Sequence, residues 1–419
     1  MKKTVAVLVI SALTFFLFGC ESSLAAQASS TQSVRVGVLL SRSGATAANA
    51  RAAQMGFDAY LEHFYDNGGF KNKPGLHIEW VWGDSESTAD GAVSAFEAMV
   101  NIDNVDVITG TGRGIETGPC VPLAIKYQMP FLLLYTVADT LVNTKNDYVF
   151  RPTPGDFQEF SGHEAIFKML TDRQGGAKTA AIVVTADDYA TGAAAIYRKI
   201  CEAGGVKILF EETVQLGATD VSGVINRVKS LDPDILIAAL QINEALLFSR
   251  QAVEYRLKTP ILVRGGGFLD ASFLAAAQGT AEGIVASAFW GVDSLTYLGD
   301  EANAIAKNMM TKAGISMNDL TISGWICAGV LMDVLDRAET LDRAGIAKAM
   351  AATNLPQSHP ANLFTQYPGI SFGEGPGQYN QNQTTVLQFL QLIDNKWRVV
   401  YPSTVVPDDK NPLKWPPQK

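Results

Sequence analysis

The sequence predicts an α/β protein made of two doubly wound parallel-sheet domains. Three observations carry this: short apolar runs alternate with helical stretches of a dozen or so residues; the alternation continues too long for one domain; and the tail departs from it by being all β. Order begins at Val34. VRVGVLL (34–40) is a strand closed by the Ser/Gly loop SRSGAT, and a helical pattern from about Ala48 to Asn67 is stopped by Gly68-Gly69. LHIEWVWGD (76–84) is a strand followed by a helix from about Thr88 to Val100. VDVITGTG (105–112) and PFLLLYT (130–136) are strands, with a helix starting near Glu116 between them. AKTAAIVVT (177–185) opens a second round, and a helix from about Ala190 to Ala203 follows. VKILFEETV (206–214) and DILIAAL (234–240) flank a helix around 220–231; PILVRGG (260–266) and GIVASAFW (283–290) add two strands. Helices around 299–313 and 323–351 precede two β-rich runs within 369–402, which Asp394-Asn395 joins as a hairpin. No repeat of 20–50 residues is present, which disfavours a solenoid.

Composition narrows the function classes. An apolar content of 47% with 18% charged residues is that of a globular chain able to bury large cores. A net charge of −9 argues against nucleic acid as a partner. Residues 1–20, MKKTVAVLVISALTFFLFGC, begin with two lysines and continue as an uncharged, mostly apolar run from Val5 to Phe18. That run is shorter than the roughly 20 residues a membrane span needs, and it has the flanks of a secretory signal. Leu17-Phe18-Gly19-Cys20 resembles a bacterial lipobox, so Cys20 is expected to be lipidated; cleavage after Ala26 or Ala28 is the alternative. Residues 21–33 form a small, polar tether. Cys120, Cys201 and Cys327 lack CxxC spacing and are expected as buried thiols, a disulfide between two of them being the alternative. None of the four His stands at HxxxH spacing, so no metal is expected.

The order of these pieces resembles the periplasmic binding proteins of ABC transporters, branched-chain amino acid group, type I fold. VRVGVLLSRSGATA is similar to the family's opening strand and loop, and GFDAYLEHFYDNGGF to its first helix and Gly-Gly turn. GDSESTADGAVSAFEAMV, VDVITGTGRGIETGPCVPLAIKYQMPFLL, YVFRPTPGD, DDYATGAAAIYRKICEAGGVKI and YPGISFGEGPGQ resemble successive later segments. The resemblance implies two lobes joined by three crossovers: 34–152 plus 282–360, and 153–281 plus 361–419. It also implies capture of a small-molecule ligand, delivery to an ABC permease, no cofactor, a monomer, and membrane contact by lipid anchor only. A sensor module on the same fold is the alternative function. An enzyme is not expected, since no Gly-x-Ser-x-Gly elbow occurs.

Open α/β sheets bind ligands beyond the carboxyl ends of their strands, which selects four regions. The first is the loop Ser41 to Asn49; Ser43 and Asn49 are candidates, and the family's aromatic near Asn49 is absent. The second is GTGRGIETG (110–118). Relatives that bind amino acids place Ser and Thr there, whereas this chain has Gly114 and Ile115, with Thr117 retained. Arg113 is either a bidentate carboxylate grip or a solvated loop charge. In the third, YTVADT (135–140), Val137 and Asp139 stand where the family has a small residue and a Thr; Asp139 either bonds ligand or caps a helical stretch near Thr140. From the second lobe, Tyr189 matches a ring that closes over ligand, or is a core ring under its loop. Gln241 replaces a frequent Tyr, and Gly266 stands near the missing acid that grips an ammonium. Trp290 and Trp325 are candidates to line the cleft. These departures imply a small carboxylate or amide, aromatic ones included, rather than a leucine-like ligand.

Overall fold

The computed structural model describes residues 32–416, apart from 143, 174, 270–272 and 375–378. Cys20, the leader and most of the tether lie outside the described residues. The first lobe begins with β1 (Ser33–Leu40), α1 (Ala47–Asp66), β2 (His77–Asp84), α2 (Ala89–Asn101), β3 (Val107–Gly110), α3 (Gly114–Lys126), β4 (Phe131–Leu133) and β5 (Val149–Phe150). The chain then crosses into α4 (Asp156–Arg173), β6 (Thr179–Thr185), α5 (Asp188–Ala203), β7 (Lys207–Val214), α6 (Ser222–Leu231), β8 (Ile235–Ala239), α7 (Ile242–Glu254), β9 (Ile261–Val263), α8 (Phe273–Ala277) and β10 (Val285–Ala288). It returns through α9 (Asp300–Ala313), α10 (Asp319–Arg337), α11 (Arg343–Ala351), β11 (Asn354–Pro356) and β12 (Gly369–Ser371), and crosses a third time into β13 (Gln388–Ile393) and β14 (Lys396–Tyr401).

The first sheet is ordered β2-β1-β3-β4-β5 and is parallel throughout. The second is ordered β14-β13-β10-β9-β8-β6-β7, with the terminal hairpin antiparallel to β10. Along β6 the side chains alternate between two cores. Ala180, Ile182 and Val184 pack with α4 and α5; Ala181 and Val183 pack with α6 and α7. Burial on both faces explains why such strands are continuous apolar runs in the sequence. Each sheet reverses its winding once, between β1 and β3 and between β6 and β8. Those switch points bring the loops after β1 and β3 together, and likewise those after β6 and β8.

In the first lobe α1 lies against α10 with almost no gap. A Cβ on Gly56 would overlap the Thr321 carbonyl, and one on Gly324 would overlap the Ala53 carbonyl. Only glycine allows backbones so close. Asn318 holds the start of α10 with a capping box, its side chain accepting from the Leu320 and Thr321 N–H groups at 3.1 and 3.2 Å. The three described cysteines are buried free thiols.

Both later boundaries between lobes differ from those expected. Residues 285–288, expected in lobe one from the break at 282, pair with β9 and β13 in the second sheet. Residues 361–371, expected in lobe two, remain with the first: Ala361, Phe364, Tyr367 and Ile370 pack in its core, and β12 pairs with β11. An apolar run reveals a strand but not which sheet completes its hydrogen bonds. Three further helices, α4, α7 and the short α8, did not emerge from the sequence pattern, and the helical stretch 323–351 is two helices separated at 338–342.

Candidate functional site

The first-lobe face is built on the switch between β1 and β3. The loop after β1 is fastened by Ser43 N–H to Asp84 Oδ1 (3.1 Å) and by Ser87 Oγ–H to the Ser43 carbonyl (2.8 Å), leaving the Ser43 side chain exposed. Beneath it Glu116, fully buried in the first turn of α3, accepts from Ser41 Oγ at 2.8 Å and Ser85 Oγ at 3.1 Å. Sequence reasoning did not single out Glu116, because its partners lie 75 and 31 residues away. Arg113 is the N-cap of α3, with extended backbone, an exposed side chain and no carboxylate within ion-pair distance among the described residues. Gly114 and Ile115 follow it, both exposed, Ile115 to 54%. The first N–H groups of a helix have no intrahelical acceptor and carry its positive dipole end. Thr117 faces inward, donating to the Arg113 carbonyl at 2.8 Å and lying 2.8 Å from Thr111 Oγ1. Asn49 and Arg113 share a small concavity with Ser41, Thr46, Gly112 and Leu134.

The second-lobe face is built on the switch between β6 and β8. Asp187 caps α5, accepting from Ala190 N–H at 3.1 Å, and thereby sets Tyr189 in the first turn. The Tyr189 ring lies under the Arg264 guanidinium, 4.5 Å from its centroid, and burial raises its hydroxyl pKa. Gly266 packs edge-on to that ring: a Cβ there would stand 2.7 Å from Tyr189 Oη. Gly266 also adopts φ +40°, so a side chain is disfavoured twice over. Gln241, half-buried, is the N-cap of α7, and Gly267 packs against its backbone. Tyr189, Gly266 and Gln241 are therefore neighbours. Arg264 is only 4% exposed. It bonds Glu159, lies 3.7 Å from Asp156 and donates to the Tyr189 carbonyl at 3.2 Å. Burial opposes its charge, but Glu159, Tyr189 and Asp156 together hold its pKa above the usual arginine value. Glu244 is also inward, accepting from Gly217 N–H at 2.7 Å.

The remaining candidates belong to the crossovers. Asp139 neither points at a free site nor caps its short helix; its carboxylate pairs with buried Arg151 and accepts from Phe157 N–H at 2.9 Å. Arg151 also bonds Gln381, which ties the first crossover to the third. Val137 is half-buried against the second lobe's core, and its carbonyl accepts from Asp156 N–H at 2.8 Å. Trp290 is a correction to the expected cleft: it is 2% exposed and donates its indole N–H to the Phe364 carbonyl at 2.9 Å. Trp325 is likewise core, bonded to the Pro360 carbonyl at 2.9 Å. Both indoles satisfy their N–H inside the first lobe, which frees neither for a ligand. Tyr135, at the start of the first crossover, packs tilted against Phe289 of the second at 5.0 Å and donates to Asp319 Oδ2 at 3.3 Å. Burial raises the Asp319 carboxyl to about 6, against backbone N–H groups and Tyr135 that lower it.

Two lobes, three crossovers and one switch point in each sheet are an arrangement this chain shares with known proteins. The profile of the periplasmic binding protein family matches residues 33–369. The chain belongs to that family. A Leu/Ile/Val-binding protein homolog 7 from Brucella suis is 24% identical over 395 residues, covering 90% of this chain and 94% of the relative. A branched-chain amino acid transporter substrate-binding protein from Streptococcus pneumoniae, solved with isoleucine, superposes with a TM-score of 0.70 at 20% identity, covering 88% of this chain and all of that one. A solute-binding protein from R. palustris, solved with benzoate, superposes at 0.65 and 21% identity, covering 88% and 95% of the two chains. Members of this binding-protein family hold solutes and act outside the cytoplasm. The fold of this periplasmic binding protein is thus shared by proteins whose solutes differ in whether they carry an ammonium group.

Proposed function

We propose that this chain is the solute-binding component of an ABC importer, capturing a small organic carboxylate between its lobes and passing it to a membrane permease. The observation that carries the carboxylate reading is the pattern of unpaired charge. Asp139, Asp156, Glu159, Asp187 and Glu244 each have a hydrogen-bond or ion-pair partner. Arg113 has no such partner among the described residues. A solute carboxylate at the start of α3 would meet Arg113 together with the Gly114 and Ile115 N–H groups. Tyr189 would close over its apolar body from the other lobe. Each described carboxylate at these loops already has a partner, although Glu116 keeps one buried oxygen without one beneath them; the lack of an exposed unpaired acid among the described residues there favours organic acids over α-amino acids. Solute would favour the closed form through contacts made only when both lobes reach it.

We extend the proposal to a monomer held at the outer face of the membrane by a lipid on Cys20. Cys20→Ala should move the protein from the membrane to the soluble fraction, and unchanged partitioning refutes the anchor. The solute reading is tested by native mass spectrometry of the purified protein, followed by calorimetry with the acid found. Arg113→Gln should weaken binding at least tenfold; unchanged affinity would remove Arg113 from the site.

A further inference from the structure

A large cavity in the second lobe lies away from the switch points. About 600 Å³ of space opens at the opposite end of the second sheet, where β9 and β10 begin and β13 ends. Its floor is apolar: Leu257, Leu392 and Ile393 are buried beneath it, while Val253 at its edge is 57% exposed. Its walls are fastened rather than loose. The Glu282 carboxylate accepts from Asp394 and Asn395 N–H at 2.8 and 3.2 Å, which holds the hairpin turn. Gln391 exchanges bonds with the backbone of Lys414, accepting at 2.8 Å and donating at 2.8 Å, and donates to Gly283 at 3.1 Å, which fixes the tail as the other wall.

The charge at the rim is unbalanced. Arg256, Lys258 and Lys414 line the cavity with exposed side chains, and none has an ion-pair partner among the described residues. Of the two acids there, Glu282 already receives two N–H groups, leaving Asp394 as the one acid without a side-chain bond among those described. A volume in the usual range for organic ligands, an apolar floor and a net cationic rim together describe an amphiphile with one negative group. The geometry points to a second site on this protein, for a free amphipathic carboxylate with an aliphatic or aromatic body. It is reached from the amino ends of the strands, so it neither overlaps nor competes with the loops of Tyr189 and Arg113.

The test uses decanoate, with decanol as its uncharged match, titrated calorimetrically into the mature protein. One saturable decanoate site is expected, with at least tenfold weaker binding of decanol. Arg256→Glu/Lys258→Glu should weaken decanoate at least tenfold, Val253→Glu should do the same, and Arg113→Gln should leave it unchanged. These substitutions are on exposed side chains, and circular dichroism will verify folding. Equal binding of decanol, indifference to Arg256→Glu/Lys258→Glu, or loss on Arg113→Gln would each overturn the inference. Binding seen only to anionic phospholipid vesicles and not to free decanoate would overturn it as well.

Discussion

Replacing Arg264 by Met tests how the second-lobe face is held. The guanidinium joins three things: Glu159 and Asp156 at the start of α4, the Tyr189 carbonyl, and the Tyr189 ring at 4.5 Å. Met keeps most of the apolar stem and removes the charge. Glu159 is then left buried without its cation. Stranding one partner of a buried pair costs about 3–5 kcal/mol, and the lost cation–π contact adds on the order of 1 kcal/mol. For a lobe of this size each kcal/mol lowers Tm by roughly 2–4 °C, so calorimetry should find a fall of about 15 °C. Adding Glu159→Gln removes the stranded charge. The double variant should recover about half of the loss, which simple additivity would not give. A fall under about 2 °C in Arg264→Met, or a double variant no more stable than the single one, would refute the reasoning.

Two further predictions concern the frame. Gly56→Ala forces a methyl group into the Thr321 carbonyl and should cost about 3 kcal/mol in urea unfolding; a loss under about 0.5 kcal/mol would contradict the close approach of α1 and α10. Asp319 has a raised pKa in the folded state, about 6. Its contribution to stability is therefore present in full below about pH 4 and lost as pH rises through 6. Asp319→Asn should abolish this loss, on the order of 2–3 kcal/mol. His163, lowered to about 3 by burial, acts in the opposite sense as pH falls below its unfolded value, so the measurement is the difference between wild type and variant at each pH. No difference across pH 4–7 would contradict it.

Most of the strands were legible because parallel strands buried on both faces are continuous apolar runs; DILIAAL is the clearest. The hairpin at Asp394-Asn395 was legible because its two residues tolerate positive φ, and both adopt it. Helix α4 was not, since its buried side includes Gln158, Glu159, His163 and Thr171, which break any apolar stripe. The loops of the candidate site follow from the switch-point rule. Their partners do not: Arg264 meets Glu159 across 105 residues, and Asp139 meets Arg151 only because the crossover folds back. Trp290 and Trp325 were candidates for the cleft, with the core as the alternative, because an indole suits either. Their N–H acceptors, the carbonyls of Phe364 and Pro360, are visible only in the fold.

The most direct test of the account is a matched pair of solutes, 4-methylpentanoate and leucine, which differ only by the ammonium group. Calorimetry on the purified mature protein would compare them, alongside 3-phenylpropanoate and phenylalanine, which differ in the same way. With Arg113 unpaired and the described acids engaged, each acid should bind at least ten times more tightly than its amino acid counterpart. Tight leucine binding with no response to 4-methylpentanoate or 3-phenylpropanoate would contradict it.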